Sequence, residues 1–567
     1  MLIGSEFTAK GKCVISLMLT RLDIINTILF MKYKRNVIQL KTERLKEYDS
    51  VCKKMKKKGL ESDSDSALEK INDLIGVRAI CVYVDAIYRV SDYLKCIEKK
   101  CYTDENKIEV RTPELFRSIT IMITDFTKEH PDRTLWRFWI PMMFSVMFQQ
   151  IYNIADSMIA GKFAGEDALA AVGASYPITI IFMAFAVGMN LGASVVVSRL
   201  FGAGDRKGVK CAVTTAFVSS FGLATILTVF GYFFSSNMME WIHTPQNIMA
   251  DGILYLKIYV FGMIFLMLYN VCTGAFTALG DSKTPLYFLL GSSAGNIVLD
   301  LIFVAQFHWG VAGVAWATFI AQGISAVLAL VTLFSRLRSL AGEEKQLFFD
   351  RGYFIQIFAI AVPSILQQSV LSVGNLFVQD IVNRYGSAVV AGYSGAIKLN
   401  TFAINIFMTL GSCLSSYTAQ NIGAGKAKRI PLGFRSGLKL SAVAAVPFVV
   451  LYVGFSRQMM GLFLNAESEA AITAGMGFLR IVVPWYLMIV IKLMTDGIIR
   501  GAGAMTYFVA ATVPDLIIRI LFALIFSKNY GSTGIWMAWP FGWIAATVLT
   551  LIFYRKVMRR QLSGMNK

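Results

Sequence analysis

The chain has 567 residues, 56% of them apolar, a formal net charge of +19 and a mean hydropathy of +0.57. Soluble proteins use about 45–50% apolar residues, so the three or four soluble domains that such a length allows are excluded. The eight cysteines (Cys13, Cys52, Cys81, Cys96, Cys101, Cys211, Cys272 and Cys413) form no C-x-x-C and have no histidine nearby, which excludes a disulfide framework and a metal site.

In chain order, residues 1–130 are mixed and charged and read as a soluble leader. Residues 13–31 are apolar, but Arg21 and Asp23 interrupt them and no small-residue cleavage site follows. An amphipathic soluble helix fits this stretch better than a signal peptide. From Leu135 onward apolar runs of about 20 residues recur, each long enough to cross a hydrocarbon core of ~30 Å at about 1.5 Å per residue. The spans are predicted at 135–159, 170–197, 209–234, 251–279, 284–306, 311–335, 354–381, 389–417, 435–457, 474–500, 505–527 and 533–555. The expected fold is therefore an all-α polytopic membrane protein of twelve transmembrane helices. We divide the chain at 1–121 (leader, small and incompletely α/β-like), 122–340 and 341–567.

The basic excess invites a nucleic-acid reading, but its placement argues for a membrane. With loops assigned alternately, one side holds most of the Lys and Arg, among them Arg199, Arg206, Lys207, Arg336, Lys345, Lys426, Lys428, Arg429, Arg559 and Arg560. The other side holds mainly Lys162, Arg384, Arg457 and Lys528. Short basic loops stay cytoplasmic, so both termini are expected inside, in the inner (plasma) membrane.

Comparison of the chain with itself reveals a repeat. Ile140-Pro141 lies against Val362-Pro363, Asn153 against Asn375, and Phe201-Gly-Ala-Gly-Asp-Arg-Lys207 against Ile422-Gly-Ala-Gly-Lys-Ala-Lys428. Tyr255-Leu-Lys-Ile258 matches Phe478-Leu-Arg-Ile481, and Gly274 matches Gly497, all at an offset of about 222 residues. Six spans per half is an even number, so both halves enter from the same side. Parallel repeats of this kind share a cavity about an axis along the membrane normal, an architecture of carriers more than of channels. The Gly-Ala-Gly loops follow no strand and precede no Lys-Ser/Thr, so they read as tight basic turns and not as phosphate cradles.

Within a membrane the ionisable residues are the informative ones. A carboxylate at mid-bilayer costs about 2.5–3.5 kcal/mol on the lenient insertion scale and faces protein or water. The first half carries Asp156 late in span 1, and Asn296 and Asp300 four residues apart on one face of span 5. Thr318 in span 6 adds a hydroxyl, and no basic residue lies one turn from any of these. The second half differs: Lys492 and Asp496, and Asp515 and Arg519, are each four apart and can neutralise one another. Burial disfavours a carboxylate's charged form and an approaching cation favours it, so the unpaired set suits alternating protonation and cation binding. Its oxygen donors suit Na⁺ or a proton relay and no transition metal. The competing reading places Asp156 at the outer end of span 1 as a cap or interfacial residue.

The stretches Gln149-Gln-Ile-Tyr-Asn-Ile-Ala-Asp156 and Ala168-Leu-Ala-Ala-Val-Gly173 resemble span 1 and the start of span 2 in the multidrug and toxic compound extrusion (MATE) family. Gly280-Asp-Ser-Lys-Thr-Pro285, Asn296-x-x-x-Asp300 and Gly313-x-Ala-x-Ala-Thr318 resemble its span 4–5 junction, fifth span and sixth span, so that the likeness covers about residues 122–560. The resemblance implies a secondary antiporter that expels organic cations and similar drugs by rocker-switch alternation, driven by H⁺ or Na⁺, with no other cofactor. It implies that Asp156, Asn296, Asp300 and Thr318 form the cation-coupling site, and that Pro141 is a hinge of span 1. Thr273 stands where such relatives have an asparagine ligand in span 4, and span 7 lacks the acid of the branch that couples through the second half.

The leader carries a second resemblance. Arg21-Leu-Asp-Ile-Ile, Arg44-Leu-Lys, Lys53-Lys-Met-Lys-Lys-Lys-Gly59 and Asn72-Asp-Leu-Ile-Gly-Val-Arg78 resemble the start of a RelA/SpoT-type alarmone synthetase, with Asp73 at a magnesium-binding aspartate. The likeness stops near Cys101, before the nucleotide loop, so we read the leader as a remnant or an artefact of joined reading frames and expect no enzyme activity. Met122 is the expected start of the transporter itself. The leading expectation is a monomeric exporter of small organic cations in the lipid bilayer, with no nucleic-acid partner. The alternative, a flippase of lipid-linked saccharides, requires Lys492 and Arg519 to face a cavity unpaired.

Overall fold

The computed structural model describes Ser16 and residues 38–45, 75–81, 125–341, 348–464 and 468–563. The rest of 13–31, the basic run 53–59, Asp73, Lys345, Met122, and Cys13, Cys52, Cys96 and Cys101 lie outside the described residues. The chain forms two compact units, Met1–Ile121 and Met122–Lys567. In the first, β1 (Ile38–Leu45) and β2 (Ile75–Cys81) pair antiparallel, with Lys41 opposite Ala79 and Glu43 opposite Val77.

The second unit is helical. Its first half holds α1 (Pro131–Ile159), α2 (Glu166–Gly202), α3 (Arg206–Trp241), α4 (Gln246–Phe261), α5 (Met263–Ala278), α6 (Lys283–Asp300) and α7 (Gly310–Ala341). The second half holds α8 (Arg351–Asn383), α9 (Ser387–Gly423), α10 (Ile430–Val449), α11 (Ser456–Gly461), α12 (Glu469–Val482), α13 (Tyr486–Gly501), α14 (Met505–Tyr530) and α15 (Ser532–Ser563). Starts are capped where polar side chains permit: Asp205 accepts from Gly208 N at 2.8 Å before α3, and Asp350 from Tyr353 N at 2.8 Å before α8.

Ten rods are long and apolar enough to cross a membrane among the described residues, and α4 with α5 makes an eleventh. The twelfth, α1, is 29 residues long; it carries Gln149, Gln150, Asn153 and Asp156 in its second half, so composition marks it less strongly. The predicted straight spans at 251–279 and 474–500 are each broken. The first bends by 46° at Gly262, and the second passes through a 3-10 turn at Val483–Trp485. Pro484 donates no backbone hydrogen bond and Gly262 resists bending least, so each break has a local cause. The two breaks occupy equivalent places in the repeat.

Two of the rods are shared between the halves. Leu135, Phe138 and Trp139 of α1 are buried with the second-half core, alongside Phe407, Tyr417 and Tyr486. Trp139 Nε1 donates to Thr409 Oγ1 of α9 at 2.8 Å. Conversely Ile357, Ile360 and Ala361 of α8 are buried with the first-half core, while Val378, Ile381 and Val382 further along α8 belong to the second. Lipid supplies no hydrophobic drive between helices, so close approach depends on small residues. Gly192 of α2 fills that role against α8, where an added Cβ would lie 2.6 Å from the Ile357 carbonyl oxygen. Pro141 sits inside α1 just after Trp139.

Candidate functional site

The buried residues of α6 are all polar. Along the whole helix only Thr284, Asn296 and Asp300 are buried, while Tyr287, Val298 and Leu301 are exposed. That inversion is what a helix on the rim of a membrane bundle requires: apolar groups face lipid and polar groups face protein. Asn296 and Asp300, 2% and 0% exposed, therefore point inward together.

Three further helices, α1, α4 and α7, bring partners to them. Tyr152 of α1, one turn before Asp156, donates its hydroxyl to Asn296 Oδ1 and lies beside Thr318 of α7. The carboxyls of Asp156 and Asp300 are close neighbours. Asp156 Oδ1 and both oxygens of Asp300 are buried and have no hydrogen-bond partner. Two carboxylates at that separation do not both ionise without a compensating cation. Tyr255 of α4 stands beside both carboxyls and stacks on Tyr259 at 6.4 Å. Among the described residues no Lys or Arg forms an ion pair with Asp156 or Asp300. The set Asp156, Asn296, Asp300 and Thr318 thus converges from three helices. Its donors are all oxygen or amide, which fits a proton or Na⁺, and no His/Cys/Asp/Glu trio for a metal exists among the described residues.

Both carboxyls are followed by wide π-helical turns. Ala160–Ala164 continues α1, and Leu301–Gln306 begins at Asp300 itself. The turns are packed around Val304, Val314 and Ala164. Such turns cluster at functional sites in other helices.

Two residues of this cluster were missed from sequence. Tyr152 lies four before Asp156 and shares its face, which is a readable signal. Tyr255 is neutral and far along the chain from both carboxyls, Asp156 and Asp300, and no spacing rule points to it. Thr273 is a correction. It was expected at the ligand position of the fourth span, but it lies about five turns beyond Tyr255, past the Gly262 bend. There it accepts from Asn190 Nδ2 at 3.0 Å and donates to the Asn270 carbonyl at 2.7 Å.

The second half holds its charges differently. Lys492 Nζ lies 3.0 Å from Asp496 Oδ2 on α13, and Arg519 Nη2 lies 4.0 Å from Asp515 Oδ2 on α14, all four side chains buried. The Arg519 guanidinium also covers the Trp539 ring at 4.5 Å. Neither cation is an unpaired cavity residue.

The profile of the MatE family matches residues 141–302 and again 363–525. The chain belongs to the MatE family. The two matches begin at Pro141 and Pro363, one in each half, as the repeat requires. Among relatives of this MatE chain, the probable multidrug resistance protein YpnP of Bacillus subtilis (strain 168) is 28% identical over 76% of the chain and 96% of its own length. The multidrug export protein MepA of Staphylococcus saprophyticus is 23% identical over 76% of the chain and 95% of its own length. A solved structure described as the outward-facing conformation of a multidrug resistance MATE family transporter superposes with a TM-score of 0.74 at 22% identity, covering 78% of this chain and 99% of that one. In the leader, a region found in RelA / SpoT proteins matches residues 43–134, so that likeness runs past Cys101.

Proposed function

We propose that this MatE protein is a secondary antiporter that exports small organic cations and related drugs, using H⁺ or Na⁺ bound at Asp156, Asn296, Asp300 and Thr318. The observation that carries the reading is the pair of neighbouring carboxyls on α1 and α6, which has no Lys or Arg ion-pair partner among the described residues. Names of relatives such as YpnP and MepA give the substrate class. The protein lies in the inner (plasma) membrane as a monomer, with the basic loops and both termini in the cytoplasm, and the leader contributes no enzyme activity.

The chain's own groups account for coupling. An ion that reaches the pair cancels repulsion between the two carboxyls and draws α1 toward α6; its departure restores a negative site that a cationic substrate stabilises. Tyr152 holds Asn296 in register around it, beside Thr318. Because Pro141 interrupts α1 between this site and the contact with α9, the rod can bend there as occupancy alternates. Each uncompensated charge moved down the membrane potential adds about 2.3 kcal/mol per 100 mV to whatever the pH or sodium gradient supplies.

The test is dye efflux from inverted vesicles under an imposed proton or sodium gradient. Asp156→Asn and Asp300→Asn are each expected to abolish efflux while the protein stays in the membrane. Parental transport in both variants would remove the coupling site.

A further inference from the structure

The two Gly-Ala-Gly loops end α2 and α9, and those helix ends cross. A side chain at Gly202 would collide with the Gln420 carbonyl, and one at Gly423 with the Arg199 carbonyl. Around the crossing each half reaches into the other. Gln420 Nε2, on α9, donates to the carbonyl of Ala278, the last residue of α5, at 2.8 Å. Arg199 Nη2, on α2, donates to the carbonyl of Ala502, the cap of α13, at 3.3 Å. Arg199 and Gln420 are equivalent positions of the repeat, and so are the two helix ends they reach. Carbonyls at a helix C-terminus lack intrahelical partners and carry partial negative charge, so both donors meet acceptors that would otherwise be open. Ala419, Ile499, Met505 and Phe508 of the second half are buried in the first-half core at this end.

The symmetry is broken by a strap. Residues 125–130 lie against α9 and the loop after it. Phe126 N donates to Gln420 Oε1 at 3.2 Å, Asn421 Nδ2 to the Phe126 carbonyl at 3.2 Å, and Lys426 Nζ to the Thr127 carbonyl at 3.1 Å. Arg429 reaches the Glu129 carbonyl. The Phe126 ring is fully buried, edge-on to Phe138 at 5.0 Å and Tyr417 at 5.8 Å. Because the strap engages the oxygen of the Gln420 amide, the amide nitrogen is left aimed at Ala278.

We propose that this crossing is a latch that holds the basic end of the two halves together, and that the 125–130 strap sets its strength by orienting Gln420. The halves cannot part at this end without giving up both cross-half hydrogen bonds and uncovering the packed glycines. The inference rests on the transporter reading for its role, since a carrier must open this end once per cycle; the contacts themselves do not depend on that reading.

The experiment is hydrogen exchange, read by mass spectrometry, on the full chain in lipid nanodiscs, with no substrate needed. Gln420→Ala is expected to speed exchange roughly three- to tenfold in peptides around 199–206, 276–283 and 420–428, the scale of one or two lost hydrogen bonds. Phe126→Ala should give a smaller increase in the same peptides. Gly423→Leu, which wedges the crossing, should give the largest. Gly222→Leu, where a side chain meets nothing within 4 Å, is the control and should change nothing there. Parental exchange in Gln420→Ala and Gly423→Leu would overturn the latch, and so would faster exchange spread evenly to the far end near 300–310. Loss of efflux in Asp300→Asn with the latch pattern intact, or the reverse, separates failure of one proposal from failure of the other.

Discussion

Two clusters of buried charge occupy the two halves of one repeat, and they solve the same problem in opposite ways. In the second half each carboxylate has a cation one turn away on its own helix, Lys492 for Asp496 and Arg519 for Asp515. In the first half Asp156 and Asp300 face each other across α1 and α6 with tyrosine, amide and hydroxyl around them. A carboxylate in the bilayer costs about 2.5–3.5 kcal/mol, and the second half meets that cost from its own chain. In the proposed cycle the first half leaves it to an ion that arrives and departs. The repeat supplies one scaffold; under the proposed function, the choice of partner makes one copy structural and the other responsive.

The comparison predicts its own failures. The largest effect belongs to Asp300→Asn: ion-driven efflux falls at least about a hundredfold, the loss of roughly 2.7 kcal/mol of coupling, while detergent-solubilised protein melts no lower than the parent. Next is Asp496→Ala, which strands Lys492 in the core and should lower stability by about 3–5 kcal/mol. That loss is read as a fall in melting temperature and in folded yield. Replacing Lys492 by Met in the same chain should recover most of it; transport lost with stability intact would instead make this pair part of the coupling machinery and dissolve the contrast. Tyr152→Phe should cost about 1–1.5 kcal/mol in ion affinity through its bond to Asn296, seen as a roughly tenfold rise in the Na⁺ or H⁺ concentration for half-maximal efflux. Smallest is Arg519→Lys, which keeps the charge beside Asp515 but loses the flat face over Trp539; about 0.5–1 kcal/mol should disappear from thermal stability and nothing from transport.

Much of this was legible in the chain because membranes impose strong, local rules. Apolar runs marked the rods, and the recurrence of Pro141 at Pro363 and of Gly-Ala-Gly after spans 2 and 8 marked the duplication. The spacing of Asn296 and Asp300 placed them on one face, and the structure buries that face while exposing the rest of α6. What escaped was set by packing between distant segments. Tyr255 joins the carboxyls from another rod, and nothing in Tyr255-Leu-Lys-Ile258 distinguishes that tyrosine from one facing lipid. The misplacement of Thr273 has the same origin: a residue's depth along a bent rod depends on where the bend falls, and Gly262 moves everything after it. The strap at 125–130 escaped because its hydrogen bonds to the second half are made through its own backbone groups, which carry no residue signature.

One rod belongs to both bundles at once. The segment around Trp139 is seated among second-half side chains, and the segment around Asp156, about 25 Å along the same helix, is seated in the first. No connecting loop has to relay an event from one end to the other, because a single continuous backbone is clamped on both sides of the divide. Under the proposed function, a tilt imposed where the carboxyls sit acts as leverage on the opposite bundle, and Pro141 lies between the two clamps.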